Sequence, residues 1–186
     1  MQQRDLVERA RRGDHDAFSV LARAAIPRLD VTARLIIRDR EAAQDAVQEA
    51  LVRIWHDLPD LRDPDRFTAW MYRILVNACN HELRRKRRRV LEIGLDPLIG
   101  LPVPDGSASL AERDAIERGF RRLDPEQRAI VVLNLYLGYS IPEVADILAV
   151  PQGTAKSRLH RALSKLRAAL DADARTNPIL AQERMP

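Results

Sequence analysis

The stretch YSIPEVADILAVPQGTAKSRLHRALSKLRAAL, residues 139–170, carries the clearest structural pattern in the chain. Ser140 and Glu143 have the spacing of a capping box, and Pro142 lies in the first turn, where its missing N–H is not needed. Residues 149–151 interrupt this helix, and a second helix is predicted to follow, with one face lined by Leu159, Leu163, Leu166 and Leu170. A short helix, a tight turn and a longer helix are typical of a helix-turn-helix, which places its second helix in the major groove of DNA.

The predicted second helix has a basic outer face. From residue 147 to residue 170 the chain has five Lys or Arg and no Asp or Glu. Because the first turns of such a helix meet base edges, we expect contacts with duplex DNA. An ordinary solvated basic face is the alternative. The side chains placed to contact DNA are Gln152, Thr154, Lys156, Ser157, Arg158, His160 and Arg161, with Arg158, Lys165 and Arg167 expected at phosphates.

Composition predicts an all-α protein. The 186 residues include 4% aromatic residues and seven Gly, and Ala, Leu and Arg are prominent, which favours helices over sheets. The net charge of +4 is unevenly spread: residues 1–90 have 19 Lys or Arg and 14 Asp or Glu, whereas residues 91–186 have 12 and 13. Charge sorted in this way suggests more than one partner.

Little in the sequence supports catalysis, a metal or a cofactor. The single cysteine, Cys79, excludes an internal disulfide and a multi-cysteine zinc site. The four His are scattered without metal-ligand spacing, and there is no Gly-rich phosphate loop. No apolar run approaches the ~20 residues that span a bilayer, and the N-terminus lacks a signal-peptide pattern. We therefore expect a cytoplasmic protein that is not an enzyme, has no membrane insertion and uses no metal or cofactor.

Residues 1–90 are predicted to form amphipathic helices. One begins at Asp14 or Asp16 and is interrupted by Pro27, with an inner side of Phe18, Leu21 and Ile26. Another runs from about Glu41 to Pro59, with an apolar stripe of Val47, Leu51, Ile54, Trp55 and Leu58. A third is opened by Asp63 and Pro64 and ends in the basic block RRKRRR. Its core side is predicted to contain Phe67, Trp70, Met71, Ile74, Leu75 and Ala78, which leaves Tyr72 off the stripe and more open.

A change in composition separates this half from the helix-turn-helix. Residues 91–108, LEIGLDPLIGLPVPDGSA, have three Pro, three Gly and no strong periodicity, as a flexible linker does. Ser109 and Glu112 then predict a capped helix to about Arg122, and Asp124 starts another through Leu137. The expected organisation is two small helical domains, residues 1–90 and 109–172, with a loose tail at 173–186.

Two polar surfaces of the first half remain to be explained. The block at residues 84–89 places six cations together, so we expect an anionic partner such as nucleic-acid backbone, a solvated helix end being the alternative. One turn earlier, Asn77, Asn80, His81 and Arg84 could hydrogen-bond exposed bases or border the core. On the preceding helix, Glu41, Asp45 and Glu49 share one face with Gln44 and Gln48, which suits either solvent or a basic protein helix.

Three motifs in order, DAVQEALVRIWHDL, RFTAWMYRILVNACNHELRRKRRR and LDPEQRAIVVLNLYLGYSIPEVADILAVPQGTAKSRLHRAL, give a specific resemblance. Over nearly all of residues 5–170 the chain resembles the bacterial extracytoplasmic-function (ECF) sigma factors of RNA polymerase. The resemblance implies a protein that binds core polymerase through its β′ clamp helices and β subunit and directs initiation at promoters. It also implies an anti-sigma factor as inhibitor, and a linker that threads through the polymerase.

The resemblance also assigns roles to residues of this chain. Residues 152–161 would recognise the −35 element. The surface that captures the melted −10 strand would comprise Arg62, Asp63, Asn77, Asn80, His81, Arg84 and Arg85. Docking on core polymerase would involve Asp45, Gln48, Glu49 and Arg53.

This chain departs from the usual family pattern at two positions, and two other functions remain open. Ala149 stands where the turn commonly has Gly, and Ala155 stands where a Val usually follows Gly-Thr. A stand-alone helix-turn-helix regulator would also have the C-terminal pattern. A helical adaptor that binds acidic proteins would use the same basic face without DNA.

Overall fold

The computed structural model describes residues 3–93 and 110–176, of which the side chains of 90–93, 110–115 and 173–176 are not considered. Every regular element in those ranges is helical, which confirms the all-α prediction for the part of the chain that is described. The chain divides into two compact units, Met1–Val103 and Pro104–Pro186, called unit 1 and unit 2 below. The capping box predicted at Ser109 lies outside the described residues.

The described part of unit 1, residues 3–93, consists of four α-helices and two short 3-10 turns. They are α1 (Gln3–Arg11), α2 (His15–Ile37), α3 (Arg40–Asp57), the turns Leu58–Asp60 and Pro64–Arg66, and α4 (Phe67–Ile93). Asp14 caps α2 by accepting a hydrogen bond from the backbone N–H of Ala17, and Asp39 caps α3 through the N–H of Ala42. Each aspartate therefore supplies an acceptor to a helix end that would otherwise have a free N–H.

The core of unit 1 is made by large aliphatic side chains. Helix α4 packs against α3 and α2, and α1 packs against α2. Completely buried residues include Leu29, Ile36, Ile54, Leu58 and Leu75. Burial of each such side chain stabilises the fold by roughly 1.5–3 kcal/mol before conformational entropy is subtracted.

The predicted interruption at Pro27 is wrong. Helix α2 continues through Pro27, which lies on its exposed side, for 23 residues. Proline removes one backbone hydrogen bond and strains the preceding turn. The complete burial of Leu29 and Ile36 beyond it outweighs that cost. Ile26, which was expected on the inner side, is 40% exposed.

Three further expectations are corrected by the packing and the helix lengths. Tyr72 is only 2% exposed, because α4 is covered on two sides by α3 and α2 and its buried face is wider than one stripe. Residues 91–93 and 173–176, assigned to the linker and the tail, continue α4 and α8. In unit 2, Leu163 is 38% exposed, and its helix is instead buried along Ala155, Ala162 and Ala169.

Unit 2 is built around one long helix. Its elements are α5 (Leu110–Arg121), α6 (Pro125–Val131), a π-helical turn (Val132–Tyr136), α7 (Ile141–Leu148) and α8 (Gln152–Thr176). Helix α8 contacts α5, α6 and α7. A Cβ atom on Gly119 of α5 would lie 3.0 Å from Leu166, so the two helices approach closely through small residues.

The helix predicted to run through Leu137 changes character before its end. Asp124 and Gln127 form the capping box expected from the sequence. After Val131 the helix widens into a π turn, in which the N–H of Leu137 donates to the carbonyl of Val132 at 3.0 Å. Gly138 follows at φ 78°, a conformation that glycine adopts without strain.

Candidate nucleic-acid and partner-binding surfaces

Both ends of α7, which leads into the turn before α8, are fixed by local hydrogen bonds. The carboxylate of Glu143 accepts from the backbone N–H of Ser140 at 2.8 Å and from its hydroxyl at 2.6 Å. These bonds, the hydroxyl first, lower the pKa of Glu143. At the other end of α7, Ala149 adopts a left-handed conformation, φ 54° and ψ 46°, and its N–H donates back to the helix. The chain reverses there without glycine, and α8 begins directly after Pro151.

The outer side of α8, called the recognition face, consists of the exposed residues in its first three turns. Gly153 and Ser157 lie near its middle, and a Cβ atom on Gly153 would meet no neighbour within 4 Å. Most of the residues predicted to contact DNA lie on this face: Gln152, Lys156, Ser157, His160 and Arg161 are exposed and Thr154 is half-buried. Small side chains flanked by longer polar and basic ones leave room for the close approach of a partner surface.

Two cations of α8 turn toward α6 instead. Arg158 lies 2.7 Å from Glu126 and keeps only 21% of its side chain exposed. The ammonium of Lys165 donates to the Gln127 side chain at 2.8 Å. Both were expected at phosphates, but their contacts hold α8 against its own unit.

In unit 1 the predicted core-polymerase residues and the predicted −10 residues meet along one line of ion pairs, called the α3–α4 seam. Arg85 lies 3.0 Å from Asp45 on α3 and 2.8 Å from Glu82 on its own helix. Glu49 contacts Arg53 at 2.5 Å and the His81 ring at 3.2 Å. Sequence reasoning placed Asp45 and Glu49 on one surface and Arg85 and His81 on another, because 32 to 40 residues separate these partners along the chain.

The seam also includes a pair between Lys86 and Asp39, the residue that caps α3. Burial by itself would raise the pKa of Asp39. The hydrogen bonds from Lys86 and from the N–H of Ala42 outweigh burial, so the pKa is lowered. Asp39 therefore stays ionised and joins the start of α3 to the basic block of α4.

The same region brings three ligand-type side chains together. Atoms of Glu49, His81 and Glu82 lie within 4.8 Å of one another. Sequence spacing did not predict this group. Because Arg53 and Arg85 already contact its two carboxylates, the group belongs to the ion-pair network of the seam.

The other predicted −10 residues lie on the solvent side of unit 1. Asn77 and Arg84 are exposed and Asn80 is half-buried on one side of α4, while Arg62 and Asp63 are exposed in the loop before it. This loop has support that the sequence did not indicate. Two side chains of α1 hold its end: Arg4 lies 2.7 Å from Asp65, and Gln3 donates to Thr68 at 2.9 Å.

Cys79 lies inside unit 1 and is fully buried. Burial raises the pKa of its thiol to about 12. A thiol in that state is neither a nucleophile nor a metal ligand at neutral pH.

Comparison with known proteins identifies two matching family descriptions. Residues 21–89 match "Sigma-70 region 2" and residues 113–166 match "Sigma-70, region 4". The first match covers most of α2, α3 and the greater part of α4. The second covers the helix-turn-helix and the helices before it.

Similar proteins extend over most of the chain. The ECF RNA polymerase sigma factor SigM of Mycobacterium tuberculosis is 38% identical over 155 residues, which cover 83% of this chain and 77% of that protein. The RNA polymerase sigma factor CnrH of Cupriavidus metallidurans is 33% identical over 182 residues, covering 91% and 95%.

Two solved structures share the fold. CnrH in complex with the cytosolic domain of CnrY has a TM-score of 0.66 and 31% identity, covering 92% of this chain and 98% of that one. The sigma factor RpoE in complex with the anti-sigma factor NepR from Bartonella quintana has a TM-score of 0.67 and 26% identity, covering 84% and 98%. Among the described helices of this chain, none is both long and apolar enough to cross a membrane.

Proposed function

This chain belongs to the extracytoplasmic-function sigma factors of RNA polymerase, and from that premise we propose how its two units divide the work of initiation. It directs transcription from promoters together with RNA polymerase. Unit 2 binds the duplex −35 element and unit 1 captures the melted −10 strand. The chain makes and breaks no bond itself and acts in the cytoplasm, beside the polymerase that performs the chemistry.

The recognition face of α8 carries the proposal for unit 2. The residues at its centre, Gly153 and Ser157, are small. Lys156 and Arg161 flank them with side chains long enough to reach base edges in the major groove. Ser140 and Glu143 cap the start of α7, and the left-handed turn at Ala149 leads from α7 into α8. Arg158 supports α8 through Glu126 and is a secondary contact at most.

The solvent side of α4 supports the proposal for unit 1. Asn77, Asn80 and Arg84 offer amide and guanidinium groups on one side of a rigid helix, as contacts to unpaired bases and phosphates require. The loop with Arg62 and Asp63 lies at the start of that helix and would receive a base that leaves the stack. Binding energy from these contacts favours the open strand.

Core polymerase is proposed to dock on the exposed side of α3. Asp45, Gln48, Glu49 and Arg53 lie there, and the carboxylates favour a basic helix as partner. Asp45 already pairs with Arg85 and Glu49 already contacts the His81 ring, so docking would be shared with intramolecular partners. The β′ clamp helices are the expected partner of this surface, and the β subunit is expected to contact the chain elsewhere.

An anti-sigma factor is proposed as the inhibitor of this chain. The structurally similar sigma factor RpoE was solved with the anti-sigma factor NepR, and CnrH was solved with the cytosolic domain of CnrY. An inhibitor that covers the recognition face or α3 would exclude DNA or polymerase by occupying the same surface.

Run-off transcription with core polymerase tests the proposal. The purified chain should direct initiation from a promoter with both elements, and scrambling either element should remove selective initiation. Charge reversal at Asp45 and Glu49 should weaken binding to core but also breaks the seam. Gln48→Lys, at an exposed position on the same side of α3, is therefore the sharper variant and should weaken binding to core while duplex binding by the free chain persists. A stand-alone regulator would instead bind its operator without core, and an adaptor would leave no DNA footprint with polymerase present.

A further inference from the structure

The cations of the basic block of α4, residues 84–89, point to different sides of the helix. Successive residues turn by about 100° on an α-helix, so six consecutive cations cannot share one surface. Arg85 and Lys86 point toward α3, where they have the carboxylate partners of the seam. Arg84, Arg87 and Arg88 are exposed and have no ion pair among the described residues. Arg89 is exposed as well, but at about 100° per residue it lies between Arg85 and Lys86 around the helix, on the other side from Arg84 and Arg88.

The partners of Arg85 make it part of the fold. Its guanidinium joins Asp45 of α3 to Glu82, whose side chain is only 5% exposed. Removal of the cation would leave Glu82 as a nearly buried, unpaired carboxylate, which is costly. Lys86 similarly holds the capping residue Asp39, whose side chain is 18% exposed.

The exposed cations continue a polar surface that begins one turn earlier. Arg84 and Arg88 follow Asn77 at seven and eleven positions, which places all three on one side of α4. At 1.5 Å per residue this side extends over about 16 Å. Like charges so close together repel one another, so binding of a polyanionic partner is favoured. A nucleic-acid backbone, with one negative charge at each phosphate, is such a partner.

We propose that the block has two functions, in which Arg84, Arg87 and Arg88 bind promoter phosphates while Arg85 and Lys86 are positioning residues that fix α4 on α3. This inference rests on the proposed function, since it says which cations of unit 1 meet the DNA. Arg85 is then no longer expected to contact the −10 strand, whereas Arg87 and Arg88 are added to the expected contacts.

The salt dependence of promoter binding distinguishes the two groups. Binding of the holoenzyme to a promoter fragment is measured at several salt concentrations for Arg84→Gln, Arg88→Gln and Arg85→Gln. Each lost phosphate contact should reduce the slope of log affinity against log salt by about 0.7–0.9. We expect that reduction for Arg84→Gln and Arg88→Gln, and an unchanged slope for Arg85→Gln. An equal reduction for Arg85→Gln would overturn the division.

Thermal unfolding of the free chain tests the positioning role without DNA or polymerase. Arg85→Gln should lower the melting temperature of unit 1 by about 4–8 °C, the shift that ~1 kcal/mol produces in a domain of this size. The double variant Asp45→Asn/Arg85→Gln should lose less than the sum of its two single variants, because the partners are coupled. Arg84→Gln, the matched control, should leave the melting temperature unchanged and show no coupling to Asp45→Asn.

The two experiments separate this inference from the proposed function. A wild-type holoenzyme without promoter selectivity would contradict the proposed function, whereas the free-chain coupling would still decide whether Arg85 holds α4. Additive effects of Asp45→Asn and Arg85→Gln would refute the positioning role even if the chain is active with polymerase.

Discussion

Helix α8 of unit 2 and helix α4 of unit 1 both have basic surfaces, but they hold their cations differently. On α8, Lys156 and Arg161 face solvent, and the helix has no acid from its start to residue 170. On α4, two consecutive cations of the block are paired with carboxylates of the same unit. Formal charge along a sequence therefore does not say how many cations are available to a partner.

The packing beneath these surfaces differs as well. Helix α8 is buried through Ala155, Ala162 and Ala169, seven residues apart, so its backbone approaches its neighbours closely. Helix α4 is buried through larger residues such as Leu75, and the seam adds ion pairs at the edge of that core. Helix α4 is thus held by large side chains and ion pairs together, whereas α8 is held by close approach of its backbone through alanines.

The largest expected effect is on the core of unit 1. Leu75→Ala should destabilise unit 1 by about 2–5 kcal/mol, because it leaves a cavity beside a fully buried position. Both Trp residues, Trp55 and Trp70, belong to unit 1, so urea unfolding followed by Trp fluorescence measures this unit alone. Val52→Ala, at an exposed position of α3, is the control and should cost little. Circular dichroism reports the helices of both units, so a single transition that coincides with the fluorescence transition in wild type and variant would show that the units do not unfold separately.

Within α8, Arg161 and Arg158 should separate base recognition from support of the helix. Arg161→Ala should cost ~1–3 kcal/mol of binding at one position of the −35 element. Arg158→Ala, which breaks the contact with Glu126, should weaken binding to every sequence evenly and by less. Holoenzyme affinities for a set of single-base −35 variants measure both. A changed base preference in Arg158→Ala would place Arg158 on the recognition face.

A smaller and stabilising effect is expected at the turn of unit 2. Ala149 has the left-handed backbone conformation that costs a residue with a Cβ roughly 1–2 kcal/mol. Ala149→Gly relieves this strain but adds freedom to the unfolded chain, so the net gain should be about 0.5–1 kcal/mol. Thermal unfolding followed by circular dichroism measures it. The matched change Ala168→Gly, inside α8, should destabilise by a similar amount, and a loss at both positions would argue against strain at Ala149.

The smallest expected effect concerns acid stability of the seam. The lowered pKa of Asp39 means that its contribution is complete above the ordinary value of 3.8 and is lost as pH falls through that value toward the lower folded one. Asp39→Asn keeps a capping side chain but removes the pair with Lys86. Between pH 5 and about pH 3, we expect the free energy of unfolding of unit 1 to fall less in Asp39→Asn than in wild type. The difference between the two falls should be less than about 1 kcal/mol. Unfolding of Asp39→Asn and wild type across this range measures the difference, and parallel curves would contradict it.

Local chemistry allowed most helix starts to be predicted. Asp14, Asp124 and Ser140 lie at helix starts as predicted. A cap depends on residues only about three positions apart, so its pattern can be read from the sequence without knowledge of the packing. Pro27 was misjudged because its cost is local while the compensating burial of Leu29 involves other helices. The pairing of Arg85 with Asp45 could not be predicted, since it depends on how α3 and α4 are packed. Sequence patterns identified the residue types at the candidate sites, and tertiary packing decides which of them remain available.

The burial of Cys79 has a kinetic consequence. A thiol that is fully enclosed and has a pKa of about 12 reacts with an alkylating reagent only when the surrounding helices separate. The chain has no other cysteine, so the labelling rate under native conditions depends on the opening of unit 1 and not on that of unit 2. Compared with the rate for a free thiol, it gives the fraction of time that unit 1 spends open. The labelling rate of Cys79 therefore measures local unfolding of unit 1, and a bound partner would slow it tenfold for each ~1.4 kcal/mol of stability that it adds.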